Sequence, residues 1–415
     1  MLISVAEGRQ QVVNATKRLP EEITPLTTSV LGQVLAEEIV SDIDSPPFDK
    51  AMMDGYAVRS EDCQNLPAYL QKISEISAGQ ITEKVVQKGQ CIQIMTGAPI
   101  PPGADAVVPI EQTKQTEDGL VTIEGKLEGK SVRMGQHRVL RGEEMKKGET
   151  VLPAGSVLAA QDFGLLASVG RTTIKMYPAP QVSVIATGNE LIEPMMKLRE
   201  GKIRNSNGPM LMAQVIRAGG LPRYLGIARD EESMLTSLIK EGLETTPITL
   251  LSGGVSAGKY DLVPKILAQL GATIHFHHVA MRPGKPLLFA TLNDKLIYGL
   301  PGNPVSSFVC FELFVRPAIR KMRGHTPIDL PQREIPLAQG WSGNYDRPCY
   351  FPAYVKIDSG KEMVHLADWS GSFDLRGLSG TNALLYIPAG TTHIQQNQLC
   401  TTLIHDFTYL TEIPN

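Results

Sequence analysis

Between residues 178 and 325 the chain alternates short apolar runs with longer amphipathic segments, and this alternation restricts the fold more than any other feature. Val182 to Ala186, Tyr224 to Ala228 and Ile248 to Leu251 read as strands. Pro209 to Ala218, Glu231 to Glu241 and Tyr260 to Leu270 read as helices. Three more strands, Ile274 to Val279, Pro286 to Ala290 and Leu296 to Leu300, precede a long helix from Pro304 to Met322. Strands alternating with helices imply a mostly parallel sheet covered on both faces.

The chain has 415 residues, too many for one ordinary domain, so further domains must flank this α/β segment. Residues 1–45 carry apolar residues at roughly helical spacing: first Leu2, Val5, Ala6, Val12 and Val13, then Val30, Leu31, Val34, Leu35 and Ile39. The stretch Asp44-Ser-Pro-Pro-Phe48 ends that pattern, because proline removes a donor and restricts its predecessor. Residues 46–140 are rich in glycine, proline, valine and isoleucine with short alternating runs, which predicts a β-rich domain. A helical pattern returns between Lys147 and Gly170, with one helix over Ala159 to Val169. The expected plan is a discontinuous α-rich domain (1–45 with 141–177), an inserted β domain (46–140), the α/β domain (178–325) and a C-terminal β-barrel-like domain (326–415).

The bulk properties exclude several classes of function. There are 40 basic and 43 acidic residues, a net charge of -3, so a broad phosphate-binding surface for nucleic acid is not expected. The five cysteines are scattered without a CxxC pair, which suggests neither a zinc site nor a disulfide framework and fits a reducing cytosol. The start, MLISVAEGRQQVV, lacks a signal-peptide pattern, and no apolar stretch approaches the roughly 20 residues that span a bilayer. A cytoplasmic, membrane-free protein is expected.

In open α/β sheets, ligands bind beyond the carboxyl ends of the strands. Four loops of unusual composition leave strands there. Ala186-Thr-Gly-Asn-Glu190 combines a glycine turn with a carboxylate. Leu251-Ser-Gly-Gly-Val-Ser-Ala-Gly-Lys-Tyr-Asp261 offers backbone N–H groups and hydroxyls ahead of a helix, an anion cradle that is not a P-loop. Arg282-Pro-Gly-Lys-Pro286 places two cations around a rigid turn that suits an oxyanion such as phosphate or molybdate. Gly299-Leu-Pro-Gly-Asn-Pro-Val-Ser-Ser307 sets Asn303 as an N-cap and Pro304 as the first helical residue. Each loop also has a plain reading as a solvated or flexible connection. His275, His277 and His278 cluster, but strand alternation turns 275 and 277 one way and 278 the other, against a three-histidine metal site. Carboxylates beside an anion cradle suit a hard cation such as magnesium bridging phosphates. These residues point to a phosphorylated or nucleotide-bearing ligand.

Seven segments then carry a resemblance: PPFDKAMMDGYAV (46–58), MTGAPIPPGADAVVPIEQ (95–112), LPAGSVLAAQDFGLLASVG (152–170), VSVIATGNEL (182–191), LLSGGVSAGKYD (250–261), MRPGKPLLFA (281–290) and GLPGNPVSSFVCFELFVRPAI (299–319). Together they resemble the molybdopterin molybdenumtransferase family, MoeA and the gephyrin E domain, from about residue 5 to the end. The resemblance implies a homodimer of four-domain subunits around a molybdopterin-binding-type α/β domain. It also implies a reaction that takes adenylylated molybdopterin and molybdate, uses a divalent cation, usually magnesium, and releases AMP. The active site would lie between the α/β domain of one subunit and the DGYA-bearing β domain of the other.

Carried onto this sequence, the resemblance gives catalytic roles to Asp54, Glu190, Asp230 and Asp261, with Glu190 and Asp261 as the cation ligands. Substrate-binding roles fall on Thr96, Thr187, Gly188, Ser252, Gly253, Gly254, Ser256, Arg282, Lys285, Pro301, Gly302, Asn303, Pro304 and Ser306. Ser252, Gly253, Gly254 and Ser256 would line the pterin-phosphate loop, and Arg282 and Lys285 would attract molybdate. The chain departs from some members at Glu144, where they have aspartate, and at His278 and Arg282, where they have lysine. The adenylyltransferase of the same pathway and the molybdoenzyme maturation factors would be its further partners. Two other readings share part of this signature. The adenylyltransferase itself normally lacks the DGYA domain and the C-terminal domain. A non-enzymatic gephyrin-like scaffold would not need the acidic set Asp54, Glu190 and Asp261.

Overall fold

The computed structural model describes residues 2–124, 131–254 and 262–406. The chain divides into two compact units, one of Met1–Thr24, Gly32–Ala36 and Lys175–Asn415, the other of Pro25–Leu31 and Glu37–Ile174.

In the first unit the alternating segment builds a six-stranded sheet. Its strands are β1 (Gln181–Thr187), β2 (Leu221–Ala228), β3 (Ile248–Ser252), β4 (Thr273–His278), β5 (Pro286–Leu292) and β6 (Lys295–Leu300). The order across the sheet is β2-β1-β3-β6-β5-β4. β2, β1, β3 and β6 are parallel, and β5 runs antiparallel to both of its neighbours. Asn293 and Asp294 alone join β5 to β6, and Asn293 has φ +53°, the left-handed conformation a two-residue hairpin needs.

The helices are α1 (Asn207–Ala218), α2 (Glu232–Thr245), α3 (Leu262–Gln269) and α4 (Pro304–Cys310). α4 continues through a π turn, Phe311–Val315, into a last helical stretch, Arg316–Met322. Each sheet face has its own core. Val182, Val184 and Leu250 pack with Leu211, Val215 and Phe311, whereas Ile185 and Leu251 pack with Leu235, Ile239 and Ile266. This two-sided burial explains why the central strands β1, β3 and β6 carry apolar residues at successive positions. Val5 and Val12 of the N-terminal helix Val5–Ala15 join the first core. That helix opens with a capping box, in which Ser4 and Glu7 satisfy each other's backbone N–H groups.

The C-terminal segment forms a five-stranded antiparallel sheet ordered Gln332–Pro336, Leu399–Ile404, Ala383–Ile387, Cys349–Asp358, Lys361–Leu366. Its two edges meet where Leu337 bridges Val364. The second unit holds a six-stranded sheet ordered Ala106–Pro109, Gly55–Val58, Gln90–Ile94, Ala68–Ile76, Leu120–Ile123, Thr113–Gln115. The helix Ala160–Ser168 also lies in this unit.

Two local expectations are corrected. No helix covers Val30 to Ile39. Thr28–Val30 makes a single 3-10 turn, Gly32 sits at φ +73°, and Ile39–Val40 is a strand paired with Thr150–Leu152. Val30, Val34, Leu35 and Ile39 are all buried, so the apolar spacing reported burial rather than helix. In β4, register irregularities flank Phe276, and strict alternation fails. The His277 and His278 rings lie 4.8 Å apart, whereas His275 stacks on Phe289 and contacts Thr291 Oγ1 at 2.8 Å.

Burial pushes two histidines of the first unit, His325 and His405, down to about 3, with neighbouring arginines adding to the effect. An unfolded histidine titrates near 6.5. The unfolded chain therefore binds more protons between these values, so stability is full above about pH 6.5 and is lost as pH falls toward 3. Urea midpoints should decline from pH 7 to pH 4.5, and the slope should flatten in a His325→Gln, His405→Gln variant. An equal slope in that variant would assign the acid sensitivity to other groups.

Candidate active site

All four loops picked out in the sequence leave the same edge of the sheet, because β1, β3, β4 and β6 point the same way. There their described residues line a cavity of about 1030 Å³ within the first unit. It brings together Thr187, Gly188, Glu190, Asp230, Ser252, Gly253, Gly254, Arg282, Lys285, Pro301, Gly302, Asn303, Pro304 and Ser306. Asp54 and Thr96 belong to the second unit. Ser256 and Asp261 lie outside the described residues.

The loops are held by direct bonds between strand ends. Gly253 N–H donates to the Leu300 carbonyl at 3.0 Å, joining β3 to β6. Thr187 Oγ1 donates to the Ser252 carbonyl at 3.3 Å, joining β1 to β3. Gly253 and Gly254 have φ +97° and +66°. A Cβ on Gly253 would lie 2.6 Å from the Thr187 carbonyl oxygen, so only glycine fits. Gly188 has φ +144°, and a Cβ there would meet the Glu190 carboxylate at 2.5 Å. The carboxylate thus folds back over the turn. Asp230, after β2, is tied to the same turn: its Oδ2 accepts from Asn189 N–H at 3.3 Å, and its own N–H donates to Asn189 Oδ1 at 3.1 Å.

Arg282 and Lys285 are exposed cations on the cavity wall, and the Arg282 guanidinium lies over the Tyr345 ring at 4.3 Å. Burial first, and then the nearby His277 and Lys285, push the His278 pKa below the usual histidine range. Asn303 occupies the N-cap position of α4 and Pro304 the first turn, but the Asn303 side chain does not cap the helix. Its Nδ2 donates to Ser372 Oγ at 3.0 Å, while the Ser372 carbonyl accepts the Val305 N–H at 3.0 Å.

Residues that sequence reasoning missed complete the cavity. Asn207, buried at the start of α1, donates from Nδ2 to Ser252 Oγ and to the Gly302 carbonyl, both at 2.8 Å. It links three loops that lie up to 95 positions apart in sequence. The run Ser206-Asn-Gly-Pro209 ahead of a helix was the available signal. Arg347, Trp369, Ser372 and Phe373 reach the cavity from the C-terminal segment. Only the turn composition of Asp368-Trp-Ser-Gly-Ser-Phe-Asp374 hinted at the last three, and no local signal marked Arg347.

In the second unit, Thr96 donates to Asp54 Oδ1 from both its N–H and its hydroxyl, each at 2.7 Å. These bonds hold the exposed Asp54 carboxyl below its usual range, the backbone bond contributing most. Glu144 accepts from Lys50 Nζ at 2.9 Å and from Ser45 Oγ at 2.8 Å, which likewise keeps it ionised.

The donor set of the cavity is chemically specific. Cations and backbone N–H groups receive oxyanions, and Glu190 and Asp230 offer the hard oxygen atoms that divalent cations prefer. No group of three metal-binding side chains occurs among the described residues.

Comparison with known proteins agrees with this chemistry. Residues 3–170 match the model of the MoeA N-terminal region (domain I and II), and residues 183–321 match that of the probable molybdopterin binding domain. The molybdopterin molybdenumtransferase of Staphylococcus aureus (strain COL) is 40% identical over 94% of this chain and 92% of its own length. That of Bacillus subtilis (strain 168) is 34% identical over 97% and 94%. The crystal structure of the molybdopterin biosynthesis MoeA protein from Pyrococcus horikoshii OT3 superposes with a TM-score of 0.80 at 30% identity, covering 97% of this chain and all of that one. With the cavity at the strand ends and both family regions in place, the chain belongs to the molybdopterin molybdenumtransferase family.

Proposed function

We propose that the protein inserts molybdate into adenylylated molybdopterin and releases AMP. One observation carries this reading: two cations, a glycine-rich anion cradle and two carboxylates converge on one cavity far larger than a lone oxyanion needs. In this reading Arg282 and Lys285 draw molybdate and phosphate, and Ser252 to Gly254 with Ser256 cradle the pterin phosphate. Thr187, Gly188 and the turn Pro301 to Pro304 with Ser306 shape the walls. Glu190 and Asp261 hold the magnesium ion, and Asp230 keeps the Glu190 turn in place. When bound, the cation supplies charge neutralisation at the phosphate being cleaved. Asp54, oriented by Thr96, is assigned to the partner's site in a homodimer. A cytoplasmic location, and encounters with the adenylyltransferase and with maturation factors, belong to the same proposal. Among the described residues no helix is long and apolar enough to cross a membrane.

The adenylyltransferase reading predicts the opposite consumption: that enzyme would use a nucleotide to make the adenylylated pterin. The match over residues 3–170 speaks against it. Purified protein given adenylylated molybdopterin should release AMP only with both molybdate and a divalent cation present. Full turnover in excess chelator, or without molybdate, would overturn the proposal.

A further inference from the structure

One wall of the cavity has no task in the family reading. Gly371, Ser372, Phe373 and Leu375 reach it from the C-terminal segment. This segment is well fastened. Asp374 accepts the N–H of Ser370 at 2.8 Å and of Gly377 at 3.1 Å, which pins the turn. The two bonds from Ser372 to Asn303 and Val305 fix it to the start of α4. Yet Phe373 is 66% exposed and Leu375 40%. A phenyl ring on a pinned turn, facing a cavity, forgoes the stabilisation that burial would provide. The other walls carry Arg282, Lys285 and Arg347, which suit phosphate rather than an apolar partner.

We propose that Phe373, flanked by Leu375, is a stacking platform for a planar nitrogen heterocycle whose attached phosphate is held by the cationic walls. Every nucleobase or pterin has a π-face, so a pinned phenyl ring receives it at little conformational cost. The inference rests on the proposed function and names the part of the ligand that meets this wall. Adenine and pterin share the required chemistry.

The test uses the full chain and three probes: AMP, 6-hydroxymethylpterin and ribose 5-phosphate. Trp369 lines the same cavity and is one of only two tryptophans, so its fluorescence reports occupancy, with calorimetry as a second measure. Phe373→Ala should weaken AMP or the pterin by about tenfold, the scale of one base–aromatic stack. It should leave ribose 5-phosphate unchanged, and Phe373→Tyr should restore binding. Loss for AMP alone places adenine on the ring, and loss for the pterin alone places the pterin there. Equal weakening of all three probes would indicate a general disturbance of the cavity and overturn the proposal. So would unchanged binding of both rings, or an effect of Phe373→Ala on subunit assembly only. These measurements need no turnover, so a failure of AMP release in the wild-type assay would leave them standing.

Discussion

Gly253→Ala should lower the rate of AMP release by at least about 100-fold while leaving a folded protein. The alanine methyl group would stand 2.6 Å from the Thr187 carbonyl oxygen and 2.9 Å from its Oγ1. The first of these is backbone and cannot swing aside. The φ of +97° adds strain of about 1–3 kcal/mol for a residue with a side chain. The least costly escape moves the β3 loop away from the β1 turn and weakens the Gly253 bond to Leu300. A displacement near 1 Å in a positioned site costs on the order of 100-fold in rate. Gly226→Ala on β2 is the matched control, because its φ of +100° carries similar backbone strain while nothing lies within 4 Å of the added methyl group, and it is outside the cavity lining. It should turn over within a few-fold of wild type. The comparison of kcat/KM and Tm across both variants decides the matter, and wild-type turnover by Gly253→Ala would refute the fixed geometry of this loop.

The largest loss of stability is expected at Glu312, on the π turn that follows α4. Its side chain is 1% exposed. Oε1 accepts from Gln214 Nε2 at 2.7 Å and from Arg217 Nη2 at 2.5 Å, and Arg316 Nε lies 3.9 Å from Oε2. Arg217 also reaches His405 Nδ1 at 3.3 Å, so the carboxylate anchors a chain of polar contacts to the C-terminal segment. Glu312→Ala leaves a largely buried Arg316 with Asp329 as its remaining acidic neighbour, and Gln214 Nε2 with the Phe308 carbonyl alone at 3.3 Å. Removing one member of a buried pair costs about 3–5 kcal/mol, and the partial exposure of Arg217 places the expectation at the lower end. Glu312→Gln keeps an acceptor oxygen and should lose roughly half as much. Denaturant unfolding of the two variants would settle this. A midpoint for Glu312→Ala equal to that of wild type would show that the network contributes nothing net.

The strand ends and their loops were legible because their chemistry is local. Ser252-Gly253-Gly254 and Arg282-Pro-Gly-Lys285 announce tight turns rich in hydrogen-bond donors or cations, and the alternation around them identifies the strands they follow. Neighbouring signals of the same kind misled where context decided. Val30 to Ile39 has helical spacing and buried apolar residues, but the glycine at 32 takes a left-handed conformation and the chain runs as a turn and a strand. His277 and His278 should face apart on a regular strand, and the irregular register of β4 pairs their rings instead. Asn303 looked like a cap, yet its amide serves Ser372, and the helix is capped there by a carbonyl from the C-terminal segment.

From sequence alone came the α/β core, the sheet edge at which the loops gather and the residue types that line the cavity there. These follow from periodicity and from turn chemistry, both of which act over a few residues. Only the tertiary structure decided that Asn207 would join Ser252 to Gly302, that Phe373 would face the same cavity as Arg282, and that an acid in the run Phe311-Glu-Leu-Phe314 would be buried against Arg217. Those residues lie between 45 and 95 positions apart in the sequence. Their partners are selected by packing and by the cost of leaving a buried polar group unpaired, and neither can be read from a local pattern.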